Sequence, residues 1–360
     1  MKDLLYLNLI MFAFAITFRC RFSTAFTQQV QNPKSHSFFR KFHQTAALNL
    51  NRFLFDPSEV DSEPKSFTDP IITITLTKND YRTVHAAKVL GLHNGDSLRA
   101  GIVQDANINN STSRPSIVGE ESDYSGLITD DATIEWLPEG KIKKAQPTKN
   151  GDPPGSLKIT LHGLTPIADE ISNIKPRISL ILALPRPLAL GRLLPMIAQM
   201  GVEDLILTQA AKVPKDYFGS HLFRKPMEIR KALIEGLCQA ADVRIPTVTV
   251  VKRLKPFIED DLENMFPKER FARVIAHPQR KDGEPSLRMS QISFPEGISG
   301  DQKRIVLAVG PEGGWSEPYE LDMFRDHGFQ QVTLGSRILR SDVAVVSLLS
   351  LAADICSTEE

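Results

Sequence analysis

Cysteine is scarce: the 360-residue chain holds three, and with Cys20 near the start only Cys238 and Cys356 are left for a folded part. Two thiols cannot build a disulfide framework, and their scarcity suits an organelle matrix. Long apolar runs are also missing. No stretch reaches the ~18 to 20 residues that span a bilayer, and the longest, Leu4 to Phe18, has the length of a signal-peptide core. Phosphate and metal signatures are absent as well. No G-x-G-x-x-G follows a strand and no G-x-x-x-x-G-K-S/T occurs, which removes the chemistry of a dinucleotide site or a P-loop. No paired-Cys or H-E-x-x-H pattern offers a zinc site. Net charge is zero, with 43 Lys and Arg against 43 Asp and Glu.

That zero hides an asymmetry. Residues 1–55 hold seven Lys or Arg and one Asp, leaving 36 basic against 42 acidic residues beyond them, a net charge of about −6. Such a chain does not coat nucleic acid by bulk charge, so any RNA contact must come from local patches. Candidates are Lys141, Lys143, Lys144 and Lys149, then Arg224, Lys225, Arg230 and Lys231 on a helix, and Lys252, Arg253 and Lys255. After the apolar core, "FSTAF" and an acid-free stretch with Lys34, Arg40, Lys41 and Arg52 read as transit-like. A signal core joined to such a stretch resembles the bipartite leader of proteins sent into complex plastids, with Phe26 after the small-residue site. A single mitochondrial presequence or a plain secretory signal has much the same composition.

The leader is expected over residues 1–55, followed by a polar linker over 56–70. Short strands near "IITITL", Ser97 to Val103, Ala132 to Leu137 and Leu157 to Leu164, with a helix at Tyr81 to Leu90, predict a small β-barrel over 71–170. A polar, aperiodic stretch near 104–131 reads as a surface insertion. From Pro176 to residue 360 strands alternate with helices, which predicts an α/β domain with a mainly parallel sheet covered on both faces. Ligands bind beyond the carboxyl ends of such strands.

Three loops fall at those ends: Ala276 to Pro278, Gly310 to Gly314, and Leu334 to Arg340. Glycine lets a ligand lie against the backbone, and Pro311 stiffens its loop. A flat adenine ring held by main-chain groups needs such loops. Ser316 is expected to cap the following helix, with Pro318 in its first turn.

"GPEGGWS", a strand, then "LGSRILRSDVA" leading into an apolar C-terminal helix resembles the SPOUT superfamily, and within it the family that methylates N3 of a uridine in small-subunit ribosomal RNA. "VHAAKVLGLHNGDSLRAGIV" is similar to that family's PUA-like RNA-binding barrel, and "ALPRPLALGRLLPMIAQMGVEDLIL" to its first catalytic unit. The resemblance implies a trefoil knot in the C-terminal domain, S-adenosylmethionine as cofactor, and a homodimer acting on ribosomal RNA or the small ribosomal subunit. It implies Ala276, His277, Gly310, Pro311, Glu312, Gly313, Gly314, Leu334, Gly335, Arg337, Ile338 and Leu339 around the cofactor. Glu312 either accepts hydrogen bonds from the cofactor or fixes its own loop. Arg340 suits the charge that develops when an imide proton leaves, and Asp342, where the family usually has Glu, is a candidate base or a helix-start carboxylate. Arg186 matches a family arginine, and Lys225 and Arg230 join it as candidate RNA contacts. Met196, Gln199, Cys238, Gln239, Asp242 and Val343 depart from the family pattern. They keep open another RNA target of the same superfamily, or a ribosome-assembly protein that has lost catalysis.

Overall fold

The computed structural model describes residues 52–61, 71–104, 108–110, 125–139, 147, 151–167, 177–278 and 285–357. The expected leader, most of the linker and the Lys141 to Lys149 patch lie outside them. Among the described residues no helix is long and apolar enough to cross a membrane.

The first sheet takes β1 (Phe53–Phe55), β2 (Ile72–Leu76), β3 (Ser97–Ile102), β5 (Leu127–Pro138), β6 (Gly155–His162) and β7 (Thr165–Pro166), in the order β1-β3-β5-β6-β2 with β7 on β5. Period-two patterning explains the pairing: Ile72 faces Leu161, Ile74 faces Ile159 and Leu76 faces Leu157, all buried. Helix α1 (Tyr81–Lys88) starts at Asp80, whose side chain accepts the Arg82 N–H. Trp136 is buried, its Nε1–H donating to Leu92 O at 2.9 Å.

Two expectations are corrected here. The leader was expected to end at Phe55, yet β1 pairs in parallel with β3 and is buried. Arg52, 1% exposed, donates to Ala100 O at 3.0 Å and Thr129 O at 3.3 Å. The linker was expected from residue 56, yet Asp56 caps the turn Pro57–Glu59. A short apolar run after an acid-free stretch looks the same in a leader and in a strand, so composition misplaced the border. The insertion, expected on the surface, contributes β4 (Ile108–Asn110), which pairs in parallel with a strand of the second sheet.

That sheet adds β8 (Ile178–Ala183), β9 (Val202–Thr208), β10 (Thr247–Val251), β11 (Ala272–Ala276), β12 (Ile305–Val309) and β13 (Gln330–Val332), ordered β13-β11-β12-β8-β9-β10-β4. Every neighbouring pair is parallel, so all carboxyl ends share one rim. β8 and β12 are buried at every residue, as strands covered on both faces must be. Helices α2 (Pro187–Gln199), α3 (Pro226–Ala240), α4 (Tyr319–Asp326) and α5 (Ser341–Ser357) supply the cover. A helical run from Leu254 to Met265, with its middle turn Phe257–Asp261 wound as a π-helix, links β10 to β11. Parallel neighbours need such crossovers.

Arg230 joins the two sheets. Its guanidinium pairs with Asp56 and donates to Gln104 O at 3.5 Å, while the Arg52 N–H donates to Cys238 O at 3.1 Å. Burial works to raise the Asp56 carboxyl, but hydrogen bonds from Arg230 and Ser58 outweigh it and hold the group below its ordinary value.

Candidate functional site

The loops after β11, β12 and β13 enclose a cavity of about 660 Å³. All twelve residues expected around a cofactor line it: Ala276, His277, Gly310, Pro311, Glu312, Gly313, Gly314, Leu334, Gly335, Arg337, Ile338 and Leu339. Sequence reasoning missed Lys212, Glu317, Thr333 and Ser341 on the wall, and the apolar Val309, Ala344 and Leu348. Lys212 had a signal, since it follows the carboxyl end of β9 on the same rim.

Two side chains from outside the Gly310 to Ser316 loop and one of its own hold it in place. Lys212 Nζ donates to Gly313 O at 2.8 Å and Trp315 O at 3.1 Å. Glu312 Oε1 accepts the Arg186 N–H at 3.0 Å, so this carboxylate fixes its loop to the start of α2. Glu320, 3% exposed, accepts the Ala211 N–H and the Ser316 N–H, both at 2.7 Å. The expected Ser316 cap is therefore corrected: α4 begins later, after Pro318, and Glu320 reaches back to bind the Ser316 amide. Trp315 is fully buried, edge-on to Phe324 at 4.9 Å. Gly314 closes the turn at φ +67, a conformation that side chains disfavour, and donates its N–H to Pro311 O at 2.8 Å.

His277 gives the cavity a buried polar edge. Its Nε2 lies 2.9 Å from Glu317 Oε1, which assigns the proton to Nε2 because a carboxylate accepts. In the neutral ring Nδ1 is then an acceptor, and it is buried without a partner among the described residues. A Cβ at Gly314 would stand 3.6 Å from His277 Cε1 and 4.0 Å from Nδ1, so the missing side chain leaves this edge open. An orphaned acceptor, a glycine-walled slot and an apolar floor of Val309, Ala344 and Leu348 fit a ligand with a flat ring and polar N–H or O–H groups. S-adenosylmethionine is of that kind.

The third loop differs. Thr333 Oγ1 donates to Gly335 O at 3.2 Å, and Gly335 takes φ +106. Beyond it Ile338 is 89% exposed. Arg340 and Asp342 are not on the cavity wall, but their neighbours Leu339 and Ser341 are, which puts them at its edge. Arg340 pairs with Asp342 Oδ2 at 2.6 Å, and Asp342 Oδ1 accepts the Val343 N–H at 3.0 Å.

Of the expected RNA contacts, Arg186 and Lys225 are exposed. Arg230 is corrected: it is 8% exposed and committed to Asp56, because its position one and two turns before Ile234 and Leu237 puts it on the buried face of α3. None of the family departures lines the cavity. Met196 and Val343 are exposed, Asp242 is held by Arg244 at 2.6 Å, and burial pushes the Cys238 thiol up.

A family model described as an RNA methyltransferase domain matches residues 173–353. Ribosomal RNA small subunit methyltransferase E of Treponema pallidum is 26% identical over 167 residues, which is 46% of this chain and 57% of that protein. Ribosomal RNA small subunit methyltransferase E 1 of Borreliella burgdorferi is 21% identical over 279 residues, 77% of this chain and 92% of that protein. The first match thus spans little more than half of its relative, the second nearly all. Among solved structures, a ribosomal RNA small subunit methyltransferase E from Neisseria gonorrhoeae bound to S-adenosyl methionine is 18% identical, with a TM-score of 0.50 over 84% of this chain and 96% of that one. A probable rRNA-methyltransferase from Porphyromonas gingivalis is 18% identical, with a TM-score of 0.51 over 84% and 99%. At such identity the two structures speak for the fold alone.

Proposed function

Since the chain belongs to the RNA methyltransferase family, whose model spans residues 173–353, we propose that it methylates N3 of a uridine in small-subunit ribosomal RNA with S-adenosylmethionine. The observation that carries this reading is one cavity walled by all three expected loops, with the Arg340–Asp342 pair at its edge. The names of the two curated relatives support the substrate class.

When bound, S-adenosylmethionine supplies an electrophilic methyl group on its sulfonium. The rest falls to this chain. The anchored glycine loop orients the ligand and shields it from water, which is most of what a simple methyl transfer asks. Forming the N3–methyl bond would break the methyl–sulfonium bond and leave a neutral thioether, and the Asp342 carboxylate takes up the proton from N3. The Arg340 guanidinium stabilises the charge that spreads to the neighbouring carbonyl oxygens.

The sheet around Trp136 takes the part of the PUA-like RNA-binding domain, and the C-terminal domain carries the knot. Two copies of the chain form the working enzyme, a reading supported by exposed apolar residues Leu188 on α2 and Val343 and Leu351 on α5. The composition of the first 51 residues supports an organelle, and a complex plastid ahead of a mitochondrion.

The test is nucleoside mass spectrometry of small-subunit ribosomal RNA after incubation with purified protein and cofactor. The proposal expects 3-methyluridine with the wild type and none with Arg340→Ala. Methylation of another base, or of transfer RNA alone, overturns the assigned target. Cofactor binding without methylation of any RNA overturns the enzyme reading in favour of an assembly role.

A further inference from the structure

The cavity occupies only half of the carboxyl rim. β13, β11 and β12 end in its loops and the segment after β9 adds Lys212, whereas further basic residues stand outside it: Arg186 after β8, Lys215 after β9, and Lys252 and Arg253 after β10. Hydrogen bonds make this stretch continuous with the cavity. The Arg186 N–H is bound by Glu312 of the glycine loop, the Leu184 N–H donates to Thr208 O at 2.9 Å, and the Gln209 N–H donates to Val251 O at 3.1 Å. At about 4.8 Å per strand, the ends of β8 and β10 are about 10 Å apart.

These four bases are exposed, and among the described residues none has a carboxylate within ion-pair distance. Elsewhere on the surface Lys88 pairs with Asp152, Lys158 with Glu135, Lys231 with Glu228 and Arg325 with Asp322. Of the nearby acids, Glu259 is taken by Lys255 at 3.6 Å, and Asp216 beside Lys215 makes that position the weakest of the four. An uncompensated basic track next to the cavity stands out on a chain whose folded part is net acidic.

Resting on the proposed function, we infer that the RNA leading to the target base lies along this rim as a single strand, with phosphates on Arg186, Lys252 and Arg253. Uridine N3 sits on the Watson–Crick edge, where a paired base has its proton engaged. A base methylated there must be unpaired, and the strand that carries it is open at that point. The basic rim gives its backbone a track into the cavity, and Arg230, buried at the domain junction, takes no part.

The experiment measures binding of a uridine-containing single-stranded RNA oligonucleotide to the full chain across a salt series, for wild type and for Lys252→Ala/Arg253→Ala. Two lost phosphate contacts lower the slope of log affinity against log salt by about 1.4, at about 0.7 per contact on a single strand. Lys252→Arg/Arg253→Lys keeps the wild-type slope, and cofactor affinity and thermal midpoint are the same in all three proteins. A double-alanine variant with the wild-type slope, or a duplex bound as tightly as the single strand, overturns the rim while leaving methylation by the wild type intact. A wild type that binds cofactor but no RNA overturns both the rim and the function it rests on.

Discussion

Two glycine-bearing loops meet at the cavity, and they are built in opposite ways. The Gly310 to Ser316 loop is pinned by Lys212, Glu320 and the Arg186 amide, and its Trp315 is fully buried. The Leu334 to Arg340 loop is largely exposed, and the side-chain bonds it makes among the described residues run within residues 333–342. The first is shaped before a ligand arrives. The second carries Arg340 at 72% exposure. One wall of the cavity is therefore fixed by distant partners, and the proposed charge-stabilising Arg340 sits on the other, exposed one.

The contrast breaks most visibly at Arg340. Arg340→Ala should lower kcat about 100-fold or more, as loss of a charge-stabilising donor does. Cofactor affinity and thermal stability should stay within the roughly ±0.5 kcal/mol of a surface substitution. Equal loss of cofactor binding would mean that the exposed loop shapes the cavity after all. Glu320→Ala tests the other wall: it leaves two amides without their acceptor and should cost about 3 kcal/mol, read as a lower urea midpoint together with weaker cofactor binding. Next in size is a pair at His277. His277→Asn keeps an acceptor near the place of Nδ1 and should bind cofactor nearly as the wild type does, whereas His277→Gln keeps only the Nε2 position and should bind about tenfold more weakly, the value of about one hydrogen bond. The reverse order would make the Glu317 bond, rather than the orphaned acceptor, the reason for the histidine. The smallest effect is dynamic. On adding cofactor, amide exchange should slow several-fold over 334–340 and change less at Gly314 and Ser316, whose N–H groups already have acceptors.

Legibility in the sequence followed what each residue had to do. Both domains were readable because period-two strands and strand–helix alternation leave their mark on apolar spacing, as at Ile72, Ile74 and Leu76. The twelve cavity residues were carried over from a family likeness, and the structure gathers them around one space. Arg230 was misread although the signal was there: Arg230, Leu233, Ile234 and Leu237 share one helical face, and that face is buried. The helical run after β10 was missed, although Leu254, Phe257, Ile258 and Leu262, all buried, carry the same periodicity. The anchors of the glycine loop were not legible. Lys212 lies 101 residues from the carbonyl it binds, and Glu320, only four positions from Ser316, lies 109 from the Ala211 amide that it also binds. β4 was hidden too, since an edge strand inside a polar insertion carries no apolar period.

That edge strand has a practical consequence. Residues 108–110 belong by sequence to the first domain yet complete the sheet of the second by pairing with β10. Cutting the chain before Arg177 to isolate the methyltransferase half would strip β10 of one of its two neighbours and leave its outer amides and carbonyls unpaired, an invitation to intermolecular pairing. The border between the domains drawn on the sequence therefore leaves one strand of the second sheet on the far side of the cut.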